Sequence, residues 1–327
     1  MFRAMRTSAQ LRKGERRLDS RILSGKVAIV TGAGRGIGRA HALHLAELGA
    51  SIVVNDLPVN KAIQPAAYVV EEIRAAGGTA IVNLSNVAEM NAGRALIEHT
   101  LAEFGRLDIL VNNAGILRDR MCFNMDEAEW DDVIAVHLKG HFAPTRFAAA
   151  HWRNLAKKKG APVDATIIFT TSEAGFYGNT SQLNYAAAKA GIAAMTLVAA
   201  RELDKYGVRC FAIAPRARTQ MTEATFVGPK PAKGFDAWAV ENVSPLVGFL
   251  CSEAARTYNG QVFVIGGGTL QLMCGYQPAS AVAMDRKFSI DEIGRILPNL
   301  FQGRPRKPER IPVPVPILDQ SCASNSS

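Results

Sequence analysis

The chain has 327 residues, of which 48% are hydrophobic and 20% are charged, so it is long enough to form one large or two small domains around a substantial core. Its 38 Lys and Arg residues outnumber its 29 Asp and Glu residues, but residues 1–24 alone carry seven basic and two acidic side chains. The rest of the chain has too small a basic excess to predict a nucleic-acid-binding surface, and no apolar run reaches the roughly 18 residues of a membrane span.

A βαβ pattern follows the basic N-terminal tail. Residues 27–30 and 51–54 are short apolar runs that predict buried strands, and an amphipathic helix is expected between them, ending near Leu48. The turn before this helix is rich in glycine, which permits a tight bend and close approach of a pyrophosphate to the helix N-terminus. A glycine-rich turn without a ligand is the alternative. The βαβ context favours a dinucleotide site formed by Gly32, Arg35, Gly36, Ile37 and Gly38.

Asp56 follows the second predicted strand. A carboxylate at this position can accept hydrogen bonds from the ribose hydroxyls of NAD, and it would repel the 2′-phosphate of NADP. Arg35 in the glycine-rich turn would favour that phosphate. Repulsion between a carboxylate and the 2′-phosphate weakens binding of NADP by more than attraction to a solvated arginine strengthens it, so we expect NAD as the cofactor. The alternative is that Asp56 is a turn or helix-cap residue.

Strands and helices continue to alternate along the chain. Further strands are predicted at residues 79–82, 108–111, 165–169, 208–214 and 261–265. Helices are predicted at residues 65–76, 89–104, 127–155 (one long or two consecutive helices) and 184–206. This alternation predicts an α/β fold with a single doubly wound parallel sheet of about seven strands.

Other segments depart from this alternation. The lysines of residues 157–160 are expected in a solvated loop, and residues 216–243 in a loop or lid. Ser244-Pro245 suits the start of a helix, with Ser244 as its cap. We expect three parts: a basic tail in residues 1–24, one domain in residues 25–270, and a C-terminal extension in residues 271–327 with a proline-rich arm at residues 304–316.

Polar residues after the strand predicted at 165–169 form a candidate catalytic set. Tyr185 and Lys189 are four residues apart and therefore share one face of the predicted helix. A free tyrosine has a pKa of about 10, and a neighbouring ammonium lowers it. Tyr185 could then exchange a proton with an alcohol or carbonyl oxygen, and Ser172 could hydrogen-bond the same oxygen. A chance Tyr-x-x-x-Lys pair in a helix is the alternative.

The cysteines are widely spaced and include no Cys-x-x-Cys pair. They are Cys122, Cys210, Cys251, Cys274 and Cys322. This pattern predicts no disulfide framework and no metal site, and it favours a reducing compartment, which we expect to be the cytoplasm. Cys210 and Cys251 fall in apolar runs and are expected to be buried.

In combination, the motifs resemble those of the short-chain dehydrogenase/reductase family. They are Thr31-Gly-x-x-x-Gly36-x-Gly38, Asn112-Asn-Ala-Gly115, Ser172 and Tyr185-x-x-x-Lys189. The resemblance covers residues 23–270 and implies a Rossmann-like subunit, with Tyr185 as acid–base and Ser172 as polariser of the substrate oxygen. It also implies that Lys189 binds the nicotinamide ribose and lowers the pKa of Tyr185. Further cofactor contacts implied by the family are Asn86, Val87, Asn113, Ala114, Gly115, Pro215 and Thr219.

Within the family, some segments are similar to (3R)-hydroxyacyl-CoA dehydrogenase units of peroxisomal D-bifunctional proteins and to actinobacterial steroid-degradation dehydrogenases. They are residues 54–57, 69–74, 116–119, 136–140 and 177–179. Other positions depart from the usual family pattern. His137 stands where most members have an asparagine that anchors a relay water. Asn86 replaces an aspartate that meets the adenine amino group, and Arg216 replaces a glycine after Pro215.

The resemblance implies an NAD-dependent oxidoreductase that interconverts a secondary alcohol and a ketone, with a (3R)-hydroxyacyl-CoA or a hydroxysteroid as substrate. A 3-oxoacyl reductase that uses NADPH and a non-catalytic NAD-binding sensor are the alternatives. Lys189 and a water near His137 are expected to carry the proton to solvent. The apolar substrate contacts are predicted to be Leu117, Phe176, Met221 and Phe226.

The helix predicted at residues 184–206 carries more apolar surface than one sheet face needs. Its small and apolar residues on neighbouring turns are Ala187, Ala190, Ala194 and Leu197. In the resembled family this helix packs against its counterpart across a two-fold axis. We therefore expect a homodimer or a homotetramer.

Overall fold

One sheet forms the centre of the computed structural model, which describes residues 21–60, 63–219, 221, 231 and 233–301. Its strands are β1 (Val27–Thr31), β2 (Ser51–Asn55), β3 (Ala80–Asn83), β4 (Ile109–Asn112), β5 (Ala165–Thr170), β6 (Val208–Pro215), β7 (Val262–Gly266) and β8 (Thr269–Leu272). They are arranged in the order β3-β2-β1-β4-β5-β6-β7-β8. The first seven strands are parallel, and β8 pairs with β7 in the antiparallel direction. The predicted α/β fold with a doubly wound parallel sheet is confirmed.

Helices cover both faces of this sheet. They are α1 (Gly36–Glu47), α2 (Pro65–Ala75), α3 (Met90–Phe104), α4 (Glu127–Val133), α5 (Gly140–Lys159), α6 (Ala174–Tyr177), α7 (Leu183–Leu203), α8 (Ser244–Leu250) and α9 (Ile290–Leu300). A π-helical segment (Ile134–Lys139) joins α4 to α5. Short 3-10 segments lie at Asp204–Tyr206, Val240–Asn242 and Glu253–Tyr258.

The central strands are buried on both faces, which is why they occur in the sequence as continuous apolar runs. All residues of β1, β4 and β5 are buried. Successive side chains of a strand point to opposite faces. Ala28 and Val30 contribute to a core with α1, α2 and α8, whereas Ile29 contributes to a second core with α3, α5 and α7. Apolar burial against the sheet therefore holds both helix layers.

The candidate functional residues come together because parallel strands end at the same edge of the sheet. β1 and β4 are neighbours, although the chain passes through β2 and β3 between them. Such a reversal of strand order opens a crevice beyond the carboxyl ends of the strands, where ligands bind in this class of sheet. The glycine-rich turn follows β1, Asn113 follows β4, Ser172 follows β5, and Pro215 ends β6.

The region predicted as one long or two consecutive helices is a continuous run of α4, the π-helical segment and α5. A capping box between Asp126 and Glu129 stabilises its first turn. α5 continues to Lys159 and ends at Gly160, whose φ of 65° is typical of a helix C-terminus. The loop predicted at residues 157–160 is therefore wrong. Its lysines are exposed as expected, but they lie in the last helical turn, where positive charge interacts favourably with the free carbonyl groups.

Two further boundaries differ from the predictions. Ser244 does not cap α8: the N-cap is Val243, and the Ser244 hydroxyl lies 2.9 Å from Nδ1 of His41 on α1.

The strand predicted at 261–265 is not the last strand, because the glycines of residues 266–268 adopt positive φ and turn the chain into β8. β8 ends at Leu272 and Leu23 is fully buried, so the packed unit extends beyond both ends of residues 25–270.

By length and composition alone, α7 with the 3-10 segment that follows is apolar enough to cross a membrane, and no other described helix is. The same helix packs against α6 and β6 and buries Ala188, Ile192 and Leu203, as a core helix of the fold does. Cys210 and Cys251 are buried as predicted. Residues 1–20 of the basic tail and the proline-rich arm at 304–316 lie outside the described residues.

Candidate active site

The glycine-rich turn between β1 and α1 lies so close to its neighbours that side chains would not fit. A Cβ atom at Gly32 would lie 2.7 Å from the Cα of Ala114, and a Cβ at Gly38 would overlap the carbonyl oxygen of Gly32. Gly36 has a φ of 54°, which glycine adopts without strain. The turn lines the crevice up to Gly38, so the N-terminus of α1 is accessible there. This arrangement suits a pyrophosphate.

Thr31 and Asn113 hold this turn against the end of β4. The hydroxyl of Thr31 accepts hydrogen bonds from the backbone amides of Asn113 at 2.9 Å and Ala114 at 3.1 Å. The side-chain amide of Asn113 donates to the carbonyl oxygens of Thr31 and Gly32 at 3.0 and 3.2 Å. The sequence analysis identified Asn113 and Ala114 as site residues but gave the Thr31 hydroxyl no role, because its partners are some 80 residues away.

Asp56 lies beside the glycine-rich turn, immediately after β2. One carboxylate oxygen accepts a hydrogen bond from the Gly34 amide and the other from the Leu57 amide, each at 2.8 Å. The Asp56 residue is half-buried, whereas Arg35 in the turn is exposed. The carboxylate of Asp56, held by two backbone amides, therefore gives this part of the crevice a negative charge at a defined position.

Asn86 and Val87 follow β3 and also line the crevice. Val87 is buried. The side chain of Asn86 accepts a hydrogen bond from the Ala88 amide at 3.2 Å and donates to Glu89 at 3.1 Å. Asn86 thus stabilises the turn before α3, and its contact with an adenine ring stays a prediction.

Ser172, Tyr185 and Lys189 line the same crevice. The ammonium of Lys189 donates a hydrogen bond to the Thr170 carbonyl oxygen at 2.6 Å and lies 5.4 Å from the centroid of the Tyr185 ring. The Ser172 hydroxyl is near enough to the Tyr185 phenol to act on its pKa. The structure therefore brings together the three side chains that helical spacing and strand position predicted.

Burial controls the ionisation of both Lys189 and Tyr185. It lowers the pKa of Lys189 to about 7, because desolvation destabilises the ammonium. Burial also raises the pKa of Tyr185, and the hydrogen bond with Ser172 opposes this shift only in part. The net shift is upward because desolvation of the phenolate dominates, and the expected lowering of this pKa by Lys189 stays a prediction.

His137 reaches the crevice from the π-helical segment, a distortion that is frequent at functional sites. Its Nε2 lies 2.7 Å from the carbonyl oxygen and 3.0 Å from the amide nitrogen of Ile116, and its ring stands edge-on to Tyr185 with centroids 5.1 Å apart. Nδ1 has no hydrogen-bond partner among the described residues. Burial and the charge of Lys189 hold the pKa of His137 well below its usual value, so the ring is neutral near pH 7.

His141, one turn after His137, was not identified from the sequence. It is fully buried and stacks on Phe169 with ring centroids 6.4 Å apart. Burial and the charge of Lys189 hold its pKa well below the usual value. No local pattern marks this histidine, because its proximity to Lys189 arises only when α5 packs beside α7.

The crevice has a volume of about 1860 Å³, which exceeds the roughly 300–1,000 Å³ of a typical small-ligand pocket. The remaining predicted contacts that line it are Leu117, Gly115, Pro215, Thr219 and Met221. Phe176 does not line it, because its ring packs against the second core, and the neighbouring Tyr177 lies at the wall instead. The predicted contact at Phe176 is corrected accordingly. Phe226 lies outside the described residues.

Comparisons with known proteins agree with this geometry. A family model described as short chain dehydrogenase matches residues 26–228. The hydroxyacyl-CoA dehydrogenase ChsB1 of Mycobacterium tuberculosis is 49% identical over 296 residues, which cover 86% of this chain and 90% of that protein. The peroxisomal multifunctional enzyme type 2 of Mus musculus is 42% identical over 249 residues, covering 75% of this chain but 32% of that protein. A crystal structure of a short chain dehydrogenase from Mycobacterium avium, 47% identical, has a TM-score of 0.80 and covers 89% of this chain and 99% of its own.

The burial of Lys189 predicts a measurable cost in stability. Its pKa in the folded chain is about 7, below the roughly 10.4 of an exposed lysine. At pH values between these two, the unfolded chain binds more protons than the folded chain, so this lysine makes the free energy of unfolding rise with pH. Below pH 7 the buried ammonium lowers the free energy of unfolding by its full amount. Lys189→Met is expected to raise the melting temperature at pH 7, with a difference from wild type that shrinks towards pH 10.

The matched control is Lys158→Met, which changes an exposed lysine on α5 and should leave the melting temperature nearly unchanged. Calorimetric unfolding at several pH values measures both variants. A lower melting temperature of Lys189→Met at pH 7 would show that the hydrogen bond to Thr170 outweighs the desolvation of the ammonium.

Proposed function

The chain belongs to the short chain dehydrogenase family, and from this premise we propose that it is an NAD-dependent oxidoreductase that interconverts a (3R)-hydroxyacyl-CoA and the 3-oxoacyl-CoA. The observation that carries the proposal is the convergence of Ser172, Tyr185 and Lys189 in one crevice with a glycine-rich turn. A proton donor or acceptor, a hydroxyl donor and a site for a dinucleotide are the groups that hydride transfer to or from a carbonyl needs.

Residues of the crevice suit a nicotinamide dinucleotide. The glycine-rich turn and the N-terminus of α1 would hold the pyrophosphate, and Asp56 would accept hydrogen bonds from the adenosine ribose. The fixed carboxylate of Asp56 disfavours a 2′-phosphate, while the exposed Arg35 is screened by solvent. These observations support NAD rather than NADP. A nicotinamide dinucleotide held by these residues would supply the hydride acceptor for oxidation of the alcohol and the hydride donor for reduction of the ketone.

Tyr185 and Ser172 act on the substrate oxygen in this proposal. The Ser172 hydroxyl donates a hydrogen bond to that oxygen, and Tyr185 takes its proton during oxidation or supplies one during reduction. Because burial raises the pKa of Tyr185, its phenol is protonated at neutral pH and is ready to donate. Lys189, with a pKa of about 7, and a water near His137 pass the proton on to solvent in this proposal.

Two observations support the substrate class. The relative ChsB1 is described as a hydroxyacyl-CoA dehydrogenase and aligns with most of this chain. Leu117, Tyr177 and Met221 provide a largely apolar wall beside the catalytic residues. A hydroxysteroid would use the same wall and is therefore the competing substrate.

Two competing functions share the fold. A 3-oxoacyl reductase that uses NADPH would need a crevice that accepts a 2′-phosphate, which the carboxylate of Asp56 disfavours. A non-catalytic NAD-binding sensor would need the glycine-rich turn but has no need of Ser172, Tyr185 and Lys189 together. The presence of all three side chains in one crevice therefore favours an enzyme.

We further propose a homodimer or homotetramer in which α7 packs against its counterpart. Ala187, Ala194 and Leu197 are exposed along α7. Beside them lies a mostly apolar depression formed by Ile134, Leu138, Lys139, Phe142, Gly191 and Met195. Contact with a second copy would remove this face from water. A cytoplasmic location stays a prediction from the cysteine pattern.

Tyr185→Phe is expected to lower kcat for oxidation of a (3R)-hydroxyacyl-CoA by about 100- to 10,000-fold, because it removes the group that exchanges the proton. Formation of reduced cofactor, followed by absorbance, measures the rate, and calorimetry should show that NAD still binds. Tyr68→Phe, on the exposed surface of α2, is the matched control. Near-normal turnover of Tyr185→Phe would remove this residue from the mechanism.

The same assay tests the substrate. Wild type is expected to oxidise 3-hydroxyacyl-CoA esters with a higher kcat/KM than 17-hydroxysteroids. The reverse order would assign the steroid. Binding of NAD without turnover of either class would support the sensor.

Asp56→Asn is expected to raise the ratio of kcat/KM with NADP to kcat/KM with NAD by about 10- to 100-fold, the range for a hydrogen bond that involves a charged group. The substituted amide keeps an acceptor for the Gly34 amide but loses the charge that repels a phosphate. Arg35→Gln is the opposing variant and should lower the ratio if this arginine contributes. A wild type that already prefers NADP would show that Arg35 outweighs Asp56.

Ala194→Arg is expected to convert the oligomer into monomers, because it places a charge in the centre of the exposed α7 face. Sedimentation velocity at micromolar concentration measures the assembly. Ala75→Arg, an exposed alanine on α2, controls for the added charge. A wild type that sediments as a stable monomer would defeat the proposal.

A further inference from the structure

Asn184, the residue before Tyr185, is fully buried, and its side chain joins three segments of the chain. Its Nδ2 group donates to the carbonyl oxygen of Arg118 at 3.0 Å and to that of Glu129 at 2.9 Å. Its Oδ1 atom accepts a hydrogen bond from the Tyr185 amide at 2.7 Å. The sequence analysis gave Asn184 no role, because two of its partners are 66 and 55 residues away.

The bond to the Tyr185 amide completes the first turn of α7. Gln182 is the N-cap of this helix, but its side chain forms no capping hydrogen bond. The Ala186 amide donates to the Gln182 carbonyl oxygen at 2.7 Å, and the amides before Ala186 have no carbonyl partner of this kind in the helix. Oδ1 of Asn184 supplies the missing acceptor and thereby holds the backbone of Tyr185.

The two donated bonds hold the segments that carry neighbouring parts of the crevice. Arg118 lies in the loop after β4, directly after Leu117, which lines the crevice. Glu129 belongs to α4, which continues into the π-helical segment with His137. The ring of His137 stands edge-on to that of Tyr185. The buried amide group therefore connects the apolar wall of the crevice to both rings.

This position requires an amide side chain. An apolar residue at position 184 would leave the Tyr185 amide and the two carbonyl oxygens without this partner. A carboxylate would still accept from the amide, but its negative charge would face the carbonyl oxygens of Arg118 and Glu129. An asparagine side chain donates two hydrogen bonds and accepts from a third group at the same time. Buried polar groups in proteins are nearly always paired in this way, because a lost partner leaves desolvation uncompensated.

We propose that Asn184 is a positioning residue for Tyr185, which it holds against the facing wall so that the phenol reaches the substrate oxygen. This inference rests on the proposed dehydrogenase function. Asn184 does not line the crevice, so it acts through Tyr185 rather than on a ligand. A displacement of a reacting group by about 1 Å can slow a reaction by about 100-fold. Loss of the three bonds is therefore expected to lower kcat.

The test compares Asn184→Ala with a matched control, Asn259→Ala. The side chain of Asn259 also joins two segments: its Oδ1 accepts from the Cys210 amide at 2.8 Å, and its Nδ2 donates to Asp204 at 2.9 Å. Asn259 does not line the crevice. Both variants lose an amide group that donates and accepts, so both are expected to lower the melting temperature.

The readout is kcat per cofactor-binding site. Calorimetric titration with NAD counts the sites, and the rate of cofactor reduction by saturating (3R)-hydroxybutyryl-CoA is divided by that count. Asn184→Ala is expected to lower kcat per site by about 10- to 100-fold. The Kd for NAD should be unchanged, because Asp56 is held by the amides of Gly34 and Leu57 instead. Asn259→Ala should retain the wild-type kcat per site, since general destabilisation lowers the number of sites but not the rate at each.

A milder variant covers the case in which Asn184→Ala does not fold, as judged by its melting temperature. Asn184→Ser keeps a hydroxyl, which has one hydrogen to donate and can also accept. It is expected to lower kcat per site in the same direction but by a smaller factor. An unchanged kcat per site in the variant that folds would overturn the proposal.

Other results have different consequences. Equal losses of kcat per site in the Asn184 and Asn259 variants would overturn the proposal, because the effect would then be general. A raised KM for the CoA ester at unchanged kcat would assign the bonds to the shape of the substrate wall, which also overturns it. A wild type that binds NAD but oxidises no 3-hydroxyacyl-CoA would instead reject the proposed function itself, and the inference with it.

Discussion

The geometry of the proposed catalytic residues depends on the close contact between the end of β5 and the first turns of α7. The Lys189 ammonium donates to the Thr170 carbonyl oxygen at 2.6 Å, and the Thr171 hydroxyl donates to the Lys189 carbonyl oxygen at 2.7 Å. A Cβ at Gly175 would lie 2.6 Å from the backbone nitrogen of Ala190, so only glycine permits this approach. Ser172 lies between these contacts and therefore has a defined position relative to the helix that carries Tyr185.

The same contact determines the chemistry of the site, because it removes charged groups from water. Desolvation lowers the pKa of Lys189 to about 7 and raises the pKa of Tyr185. His137 and His141 are kept neutral by burial and by the nearby ammonium. A buried ammonium destabilises a fold unless other interactions compensate. The apolar cores on both faces of the sheet offset this cost, so the site retains an ionisable group that titrates near neutral pH.

Polar contacts between neighbouring strand ends assemble the rest of the crevice. Thr31 and Asn113 join the ends of β1 and β4, and Glu173 and Arg216 join the loops after β5 and β6. Backbone groups lose their ladder partners where strands end, and side chains there take over as hydrogen-bond partners. These contacts hold the proposed cofactor half and the proposed substrate half of the crevice in one arrangement.

The sequence by itself determined the fold class and the placement of the proposed catalytic pair on one helix, because both depend on local periodicity. Continuous apolar runs specify buried parallel strands, and the four-residue spacing of Tyr185 and Lys189 places them on one helical face whatever the surroundings. Tertiary structure alone decided the net pKa shift of Tyr185, the choice of Tyr177 over Phe176 at the wall, and the proximity of His141 to Lys189. It also decided the pairing of Glu173 with Arg216, which are 43 residues apart. Desolvation and contacts between distant residues arise only when the chain is packed, and no local sequence pattern encodes them.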